Sequence, residues 1–199
     1  MLEQIIRSSY QRYFVDGIAK HLPQKIHPTQ ITLIGACLGL GVIPALVWQQ
    51  PLYAVFILLI SGYCDTLDGT IARMRCLSSA LGSALDIVSD RIVESAVILG
   101  LFLVNPNQRG LICLIMLISI LICVTSFLVV GIFTPNQSEK SFHYSNGLIE
   151  RAEAFLFFIL MILMPHYFEI LAYVFSFLTF VTALIRMYEF YRASKNSLG

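Results

Sequence analysis

The sequence predicts an all-α, polytopic membrane protein with six transmembrane helices, preceded by an amphipathic helix at the membrane surface. Three observations lead to this prediction. Hydrophobic residues make up 57% of the 199-residue chain. Charged residues make up only 13%, against about 25% in soluble domains. Apolar stretches near the ~20 residues that a helix needs to cross a bilayer recur along the chain.

The amphipathic helix is predicted over residues 1–25, where isoleucine and aromatic residues recur at helical spacing and charged residues occupy the remaining positions. An ordinary helix packed on the body of the protein would show the same pattern. Six apolar stretches follow, at about 29–49, 52–74, 81–104, 110–134, 147–165 and 169–193. We therefore predict one domain spanning residues 1–199, with a six-helix bundle over about 29–193.

Basic residues predict the orientation of this bundle. With six spans both termini face the same side, and that side carries most of the lysines and arginines, whereas Arg109 falls on the other. By the positive-inside rule the basic side is cytoplasmic. We expect an integral protein of a bacterial inner membrane. The formal net charge of +1 gives no sign of a nucleic-acid partner, and none is predicted.

Four acidic residues lie inside two of the predicted spans: Asp65, Asp68, Asp86 and Asp90. A charged carboxylate at the centre of a membrane helix costs roughly 2.5–3.5 kcal/mol on insertion scales, so these side chains need compensation. The two acids of each span are three or four residues apart and share a helix face. If the two helices are neighbours, the carboxylates can converge on hard cations such as Mg²⁺ or Mn²⁺.

Two other interpretations of these acids stay open. They could form intramembrane ion pairs with Arg73 and Arg91, or they could line a path for ions or protons. An ion path accounts for the acids but leaves the glycines between them, Gly69 and Gly82, without a role.

Residues 65–90 resemble the signature of the CDP-alcohol phosphotransferase family, D-x-x-D-G-x-x-A-R followed after about eight residues by G-x-x-x-D-x-x-x-D. All eight fixed positions match. The resemblance implies transfer of a phosphatidyl group from CDP-diacylglycerol to an alcohol, with release of CMP, by a protein that is commonly a homodimer. It implies two divalent cations, Mg²⁺ or Mn²⁺, held by the four aspartates, with Asp90 also the catalytic base. It further implies a CDP site formed by Gly69, Ala72, Arg73 and Gly82.

The acceptor alcohol stays open at this level. Arg151, Arg186 and Lys140 fall on the side of the aspartates and are candidates to bind an acceptor phosphate. The stretch from Gly147 resembles the G-x-x-x-R-x-E-R of members that use inositol phosphate, although Ala154 replaces its last arginine. We therefore expect a phosphorylated polyol, either glycerol 3-phosphate or inositol phosphate. The alternatives are a non-phosphorylated alcohol such as inositol or serine, and a non-enzymatic carrier of divalent cations or protons.

Overall fold

A computed structural model describes residues 15–21, 26–134, 149 and 151–197. Regular structure in these ranges is helical, which confirms the all-α prediction for them. The helices are α1 (Asp16–His21), α2 (Pro28–Leu40), α3 (Val42–Val47), α4 (Pro51–Met74), α5 (Ala80–Val104), α6 (Pro106–Phe133), α7 (Arg151–Leu163) and α8 (Phe168–Ser197), with a 3₁₀ turn at Pro165–Tyr167. The chain divides into two compact units, Met1–Pro106 and Asn107–Gly199.

Among the described residues, four helical segments are long and apolar enough to cross a membrane: Pro28–Val47, Pro51–Met74, Pro106–Phe133 and Pro165–Lys195. Helix α5 has 25 residues but carries several charged side chains. Helix α7 has 13 residues, and residues 147, 148 and 150 of the predicted fifth span lie outside the described ranges. The count of six spans, like the single domain, therefore stays a prediction.

The predicted first span consists of two helices rather than one. Helix α2 begins at Pro28, where Gln30 Oε1 accepts a hydrogen bond from the backbone N–H of His27 at 3.1 Å and closes a capping box. It ends at Leu40, and α3 begins after Gly41. Pro44 explains the break, because it has no N–H to donate to the carbonyl four residues before it.

Helix α2 packs against both α4 and α5, and two glycines make the close approach possible. A Cβ atom at Gly35 would lie 2.9 Å from Cys64 Cβ of α4. A Cβ atom at Gly39 would lie 2.5 Å from Val93 Cγ2 of α5. Because neither glycine has a side chain, the backbone of α2 lies directly against side chains of α4 and α5, and α2 bridges these two helices in the first unit.

Helix α1 packs on α4 in the first unit. Val15 and Ala19 are buried in one apolar cluster with Ile31, Leu67 and Ile71. The described end of the predicted amphipathic helix thus lies against the protein. Residues 1–14 and 22–25 lie outside the described ranges, so a position of this helix at the membrane surface stays a prediction.

The second unit is built on packing of α7 against α8. The Phe158 and Phe175 rings lie 5.5 Å apart between their centroids, and both side chains are buried. Large apolar side chains are exposed along α6, including Leu111 at 70% and Ile132 at 71%. Extensive exposed apolar surface is typical of a site that contacts a membrane or another protein.

Candidate active site

Three of the four predicted aspartates converge. Each of Asp65, Asp68 and Asp86 offers a carboxylate oxygen, and these three atoms all lie within 4.8 Å of one another. Asp65 and Asp68 lie in the C-terminal half of α4, and Asp86 lies near the start of α5. We refer to Asp65, Asp68 and Asp86 as the three-acid group.

The three-acid group fits a divalent cation. Asp68 is 5% exposed. The Oδ1 atom of Asp86 is buried without a hydrogen-bond partner in the described part of the chain. Carboxylates this close repel each other unless a proton or a cation lies between them. An all-oxygen donor set is the one preferred by Mg²⁺ and Mn²⁺.

The fourth aspartate, Asp90, lies one turn further along α5 and is outside the three-acid group. Its side chain is 15% exposed, and its Oδ2 atom lies 3.8 Å from Arg91 Nη2. It follows Asp86 by four residues, a spacing that places the two side chains on the same face of α5. The roles of Asp90 as metal ligand and catalytic base stay predictions.

The predicted CDP-binding residues flank the acids. A Cβ atom at Gly69 would lie 3.4 Å from Arg73 Nη1, so the glycine leaves its helix face open beside the guanidinium. Arg73 also donates from Nη2 to Thr70 Oγ1 at 3.3 Å, and Ala72 between them is half-buried. Gly69, Ala72 and Arg73 thus lie on the same helix as Asp65 and Asp68, directly after them in sequence, and their binding of CDP stays a prediction.

Gly82 has a local structural role at the start of α5. Its backbone N–H donates to Ser79 Oγ at 3.0 Å, and Ser79 is the N-cap of the helix. A Cβ atom at Gly82 would lie 3.2 Å from the same oxygen. The capping serine was not singled out from the sequence, although a serine directly before an apolar run is a recognisable signal. Binding of CDP by Gly82 stays a prediction.

Thr32 of α2 reaches the three-acid group and was missed in the sequence. Its hydroxyl donates to Asp68 Oδ2, although the two residues are 36 positions apart. Thr32 is 7% exposed. No local spacing links the two residues, because their contact depends on the packing of α2 on α4.

The candidate acceptor residues belong to the second unit. Arg186 is 8% exposed and donates from Nη1 to the carbonyl of Cys123 at 3.0 Å. Its guanidinium carbon lies 5.2 Å from the centroid of the Phe127 ring. Arg151 begins α7, with its guanidinium carbon 5.6 Å from the centroid of Phe155. Lys140 lies outside the described residues, so the predicted acceptor site stays untested.

The comparison with protein families gives one match over most of the chain. The family described as CDP-alcohol phosphatidyltransferase matches residues 25–185. The inner membrane protein YnjF of Escherichia coli is 33% identical over 178 residues, which cover 86% of each chain. The phosphatidylinositol phosphate synthase of Corynebacterium glutamicum is 29% identical over 148 residues, which cover 70% of this chain and 64% of the relative.

Solved structures show the same fold. The phosphatidylinositol phosphate synthase of Mycobacterium tuberculosis with CDP-DAG bound superposes with a TM-score of 0.72 at 19% identity, over 88% of this chain and 92% of that one. The same synthase in complex with manganese and citrate superposes with a TM-score of 0.73 at 18% identity, over 88% of each chain.

Proposed function

Because the chain belongs to the CDP-alcohol phosphatidyltransferase family, we propose that it moves the phosphatidyl group of CDP-diacylglycerol to a phosphorylated polyol and releases CMP. The observation that carries this proposal is the convergence of Asp65, Asp68 and Asp86. These are three of the four acids of the family signature, and they meet although they lie on two helices.

The acids would hold the divalent cations of the reaction. Asp65, Asp68 and Asp86 are the ligands that the geometry supports, and Asp90 is the proposed fourth. Divalent cations bound there would supply charge neutralisation for the diphosphate of the donor. Manganese in the structure of the mycobacterial synthase supports the same class of cation for this chain.

The protein's own residues would then position the donor and move one proton. Gly69, Ala72, Arg73 and Gly82 would hold the cytidine diphosphate. Asp90 would take the proton from the acceptor hydroxyl. The hydroxyl oxygen would at the same time bond to the phosphorus that carries the diacylglycerol. The bond from that phosphorus to the departing CMP oxygen breaks in the same transfer, and the charge leaves with CMP.

A phosphorylated acceptor is supported by two lines of argument. Relatives named phosphatidylinositol phosphate synthase and archaetidylinositol phosphate synthase align with 70% and 71% of this chain. Arg151, Arg186 and Lys140 supply cations that a phosphate requires. Ala154 is buried at the position of the missing arginine, so inositol phosphate and glycerol 3-phosphate both belong in the test.

The chain is an integral membrane protein. We further propose six spans, with α5 and the helix ending at Leu163 completing the four described candidates, and an active site on the cytosolic side of a bacterial inner membrane. The name of its Escherichia coli relative YnjF supports that membrane. A homodimer also stays a proposal.

The test uses purified full-length protein in detergent with CDP-diacylglycerol and either Mn²⁺ or Mg²⁺. Glycerol 3-phosphate, inositol phosphate, inositol and serine are offered separately, and CMP release is followed. Metal-dependent release with a phosphorylated acceptor is expected. CMP release with inositol or serine, but with neither phosphorylated acceptor, would show that the acceptor is a non-phosphorylated alcohol. No release with any acceptor, together with metal binding that ignores CDP, would favour a cation carrier.

A further inference from the structure

The geometry points to Thr32 as a positioning residue for the metal site, acting through Asp68. The two side chains are both buried, and the Thr32 hydroxyl donates to Asp68 Oδ2 across the contact between α2 and α4. This inference rests on the proposed function, because it assigns Thr32 a role through one of the proposed metal ligands.

Helix α2 is held against its neighbours in the two turns that follow Thr32. Ser61 Oγ of α4 donates to the carbonyl of Gly35 at 2.8 Å. Gly35 and Gly39 allow α2 to approach α4 and α5 so closely that a Cβ atom at either position would collide with a neighbour. The hydroxyl of Thr32 is therefore presented to Asp68 by a helix with little freedom to shift.

The Thr32 hydroxyl has a single proton to donate, and two acceptors lie near it. The carbonyl of Pro28 lies 3.3 Å away, and Asp68 Oδ2 is closer. The charged carboxylate is also the stronger acceptor. A carboxylate has two oxygens, so Asp68 can accept from Thr32 and still offer a ligand atom to a cation. Hydrogen bonds of this kind orient a metal ligand and limit its rotation.

Three variants of the full-length protein test this role. Thr32→Val removes the hydroxyl with little change of shape, and Thr32→Ser restores it. Ser61→Ala is the matched control, because it removes another buried hydroxyl from the same interface without touching an acid. Free Mn²⁺ is measured by electron paramagnetic resonance during titration of each purified protein, and the Mn²⁺ dependence of CMP release is measured in parallel.

We expect Thr32→Val to weaken Mn²⁺ binding by about 10- to 100-fold, the usual effect of removing a partner of a metal ligand. Thr32→Ser and Ser61→Ala should bind Mn²⁺ within about threefold of the wild type, well below that effect. Binding by Thr32→Val that equals the wild type overturns the inference while leaving the proposed function intact. An equal loss in Ser61→Ala also overturns it, since general loosening of α2 would then explain both. Absence of Mn²⁺ binding by the wild type overturns the proposed metal site and this inference with it.

Discussion

Arg91 Nη1 lies 2.6 Å from Glu94 Oε2, one turn further along α5. The Nη2 atom of the same guanidinium lies 3.8 Å from Asp90 Oδ2, so one cation stands between two carboxylates. The side chain of Glu94 is 6% exposed and that of Arg91 is 34% exposed. The ion pair thus compensates a buried acid within a helix that also carries the proposed base.

Glu94→Gln should destabilise the protein and slow transfer. The amide keeps the shape of the side chain but loses the charge that balances Arg91, whose guanidinium then acts on Asp90 alone. We expect a loss of about 1–2 kcal/mol, between the values for exposed and buried ion pairs, measured by unfolding in detergent. The control is Glu189→Gln on an exposed position of α8, where we expect a change within about 0.5 kcal/mol. Equal stability of both variants would remove the structural role of Glu94.

Asp86→Asn and Asp90→Asn should separate metal binding from proton transfer. Asp86 belongs to the three-acid group and Asp90 does not. Asp86→Asn is therefore expected to lose metal-dependent binding of CDP. Asp90→Asn should lower CMP release by about 10²- to 10⁴-fold, the usual contribution of a general base, and keep more of the CDP binding. Calorimetric titration with CDP and Mn²⁺ measures the first property. Near-normal CMP release by Asp90→Asn would exclude it as the base.

The pairing of the acids along each helix could be predicted from the sequence, because it is a local relation. Spacings of three and four place Asp65 with Asp68 and Asp86 with Asp90 on a helix face, and no tertiary information is needed for that. Convergence of the two pairs was conditional on neighbouring helices. In the structure a third helix, α2, packs on both α4 and α5 and so brings the two acid-bearing helices together.

Features that depend on packing could not be predicted. Thr32 and Asp68 are joined only because α2 lies on α4 at one register. The break of the first span at Gly41 could have been predicted from Pro44. The uniformly apolar composition of the stretch favoured a single continuous helix instead. For α5, the hydropathy and the sequence motif give different answers on whether the helix crosses the membrane. The charged residues that the proposed chemistry needs lower the mean hydropathy by which membrane spans are recognised.

Gly39→Ala should destabilise the first unit, whereas Gly17→Ala should not. A Cβ atom at Gly39 would lie 2.5 Å from Val93 Cγ2 and 3.0 Å from Ser61 Oγ, so α2 or its neighbours must move. Overpacking of this kind costs about 1–3 kcal/mol. In the described part of the chain, no atom beyond the helix's own backbone and the neighbouring residues lies within 4 Å of a Cβ atom at Gly17, and alanine is the better helix former there by up to about 1 kcal/mol. Unfolding temperatures in detergent measure both, and a stable Gly39→Ala would mean that α2 can move away from α5.

Gly69→Ala should separate ligand binding from stability. The added Cβ would lie 3.4 Å from Arg73 Nη1, a flexible side-chain end that can move aside. The unfolding temperature should therefore stay the same or rise, because alanine favours the helix by about 1 kcal/mol. Affinity for CDP should fall, since the methyl group occupies the open face beside Arg73. Calorimetric titration with CDP in the presence of Mn²⁺ measures this, and unchanged affinity would remove Gly69 from the CDP site.

Arg186→Lys should raise the KM for a phosphorylated acceptor while leaving metal-dependent CDP binding unchanged. Lysine keeps the positive charge but lacks the planar array of donors that contacts Cys123 and Phe127. A hydrogen bond from the guanidinium to the acceptor phosphate would be worth about 1.5–3 kcal/mol, so its loss should raise KM on the order of 10- to 100-fold. The matched control is Arg109→Lys, whose arginine also lies over an aromatic ring, 4.3 Å from the centroid of Phe168. Arg109 lies on the predicted non-cytoplasmic side, so this variant should lose stability of about 0.5–2 kcal/mol from the cation–π contact and keep the wild-type KM. A KM that rises equally in both variants would show that α8 packing, and not phosphate binding, is what Arg186 supplies.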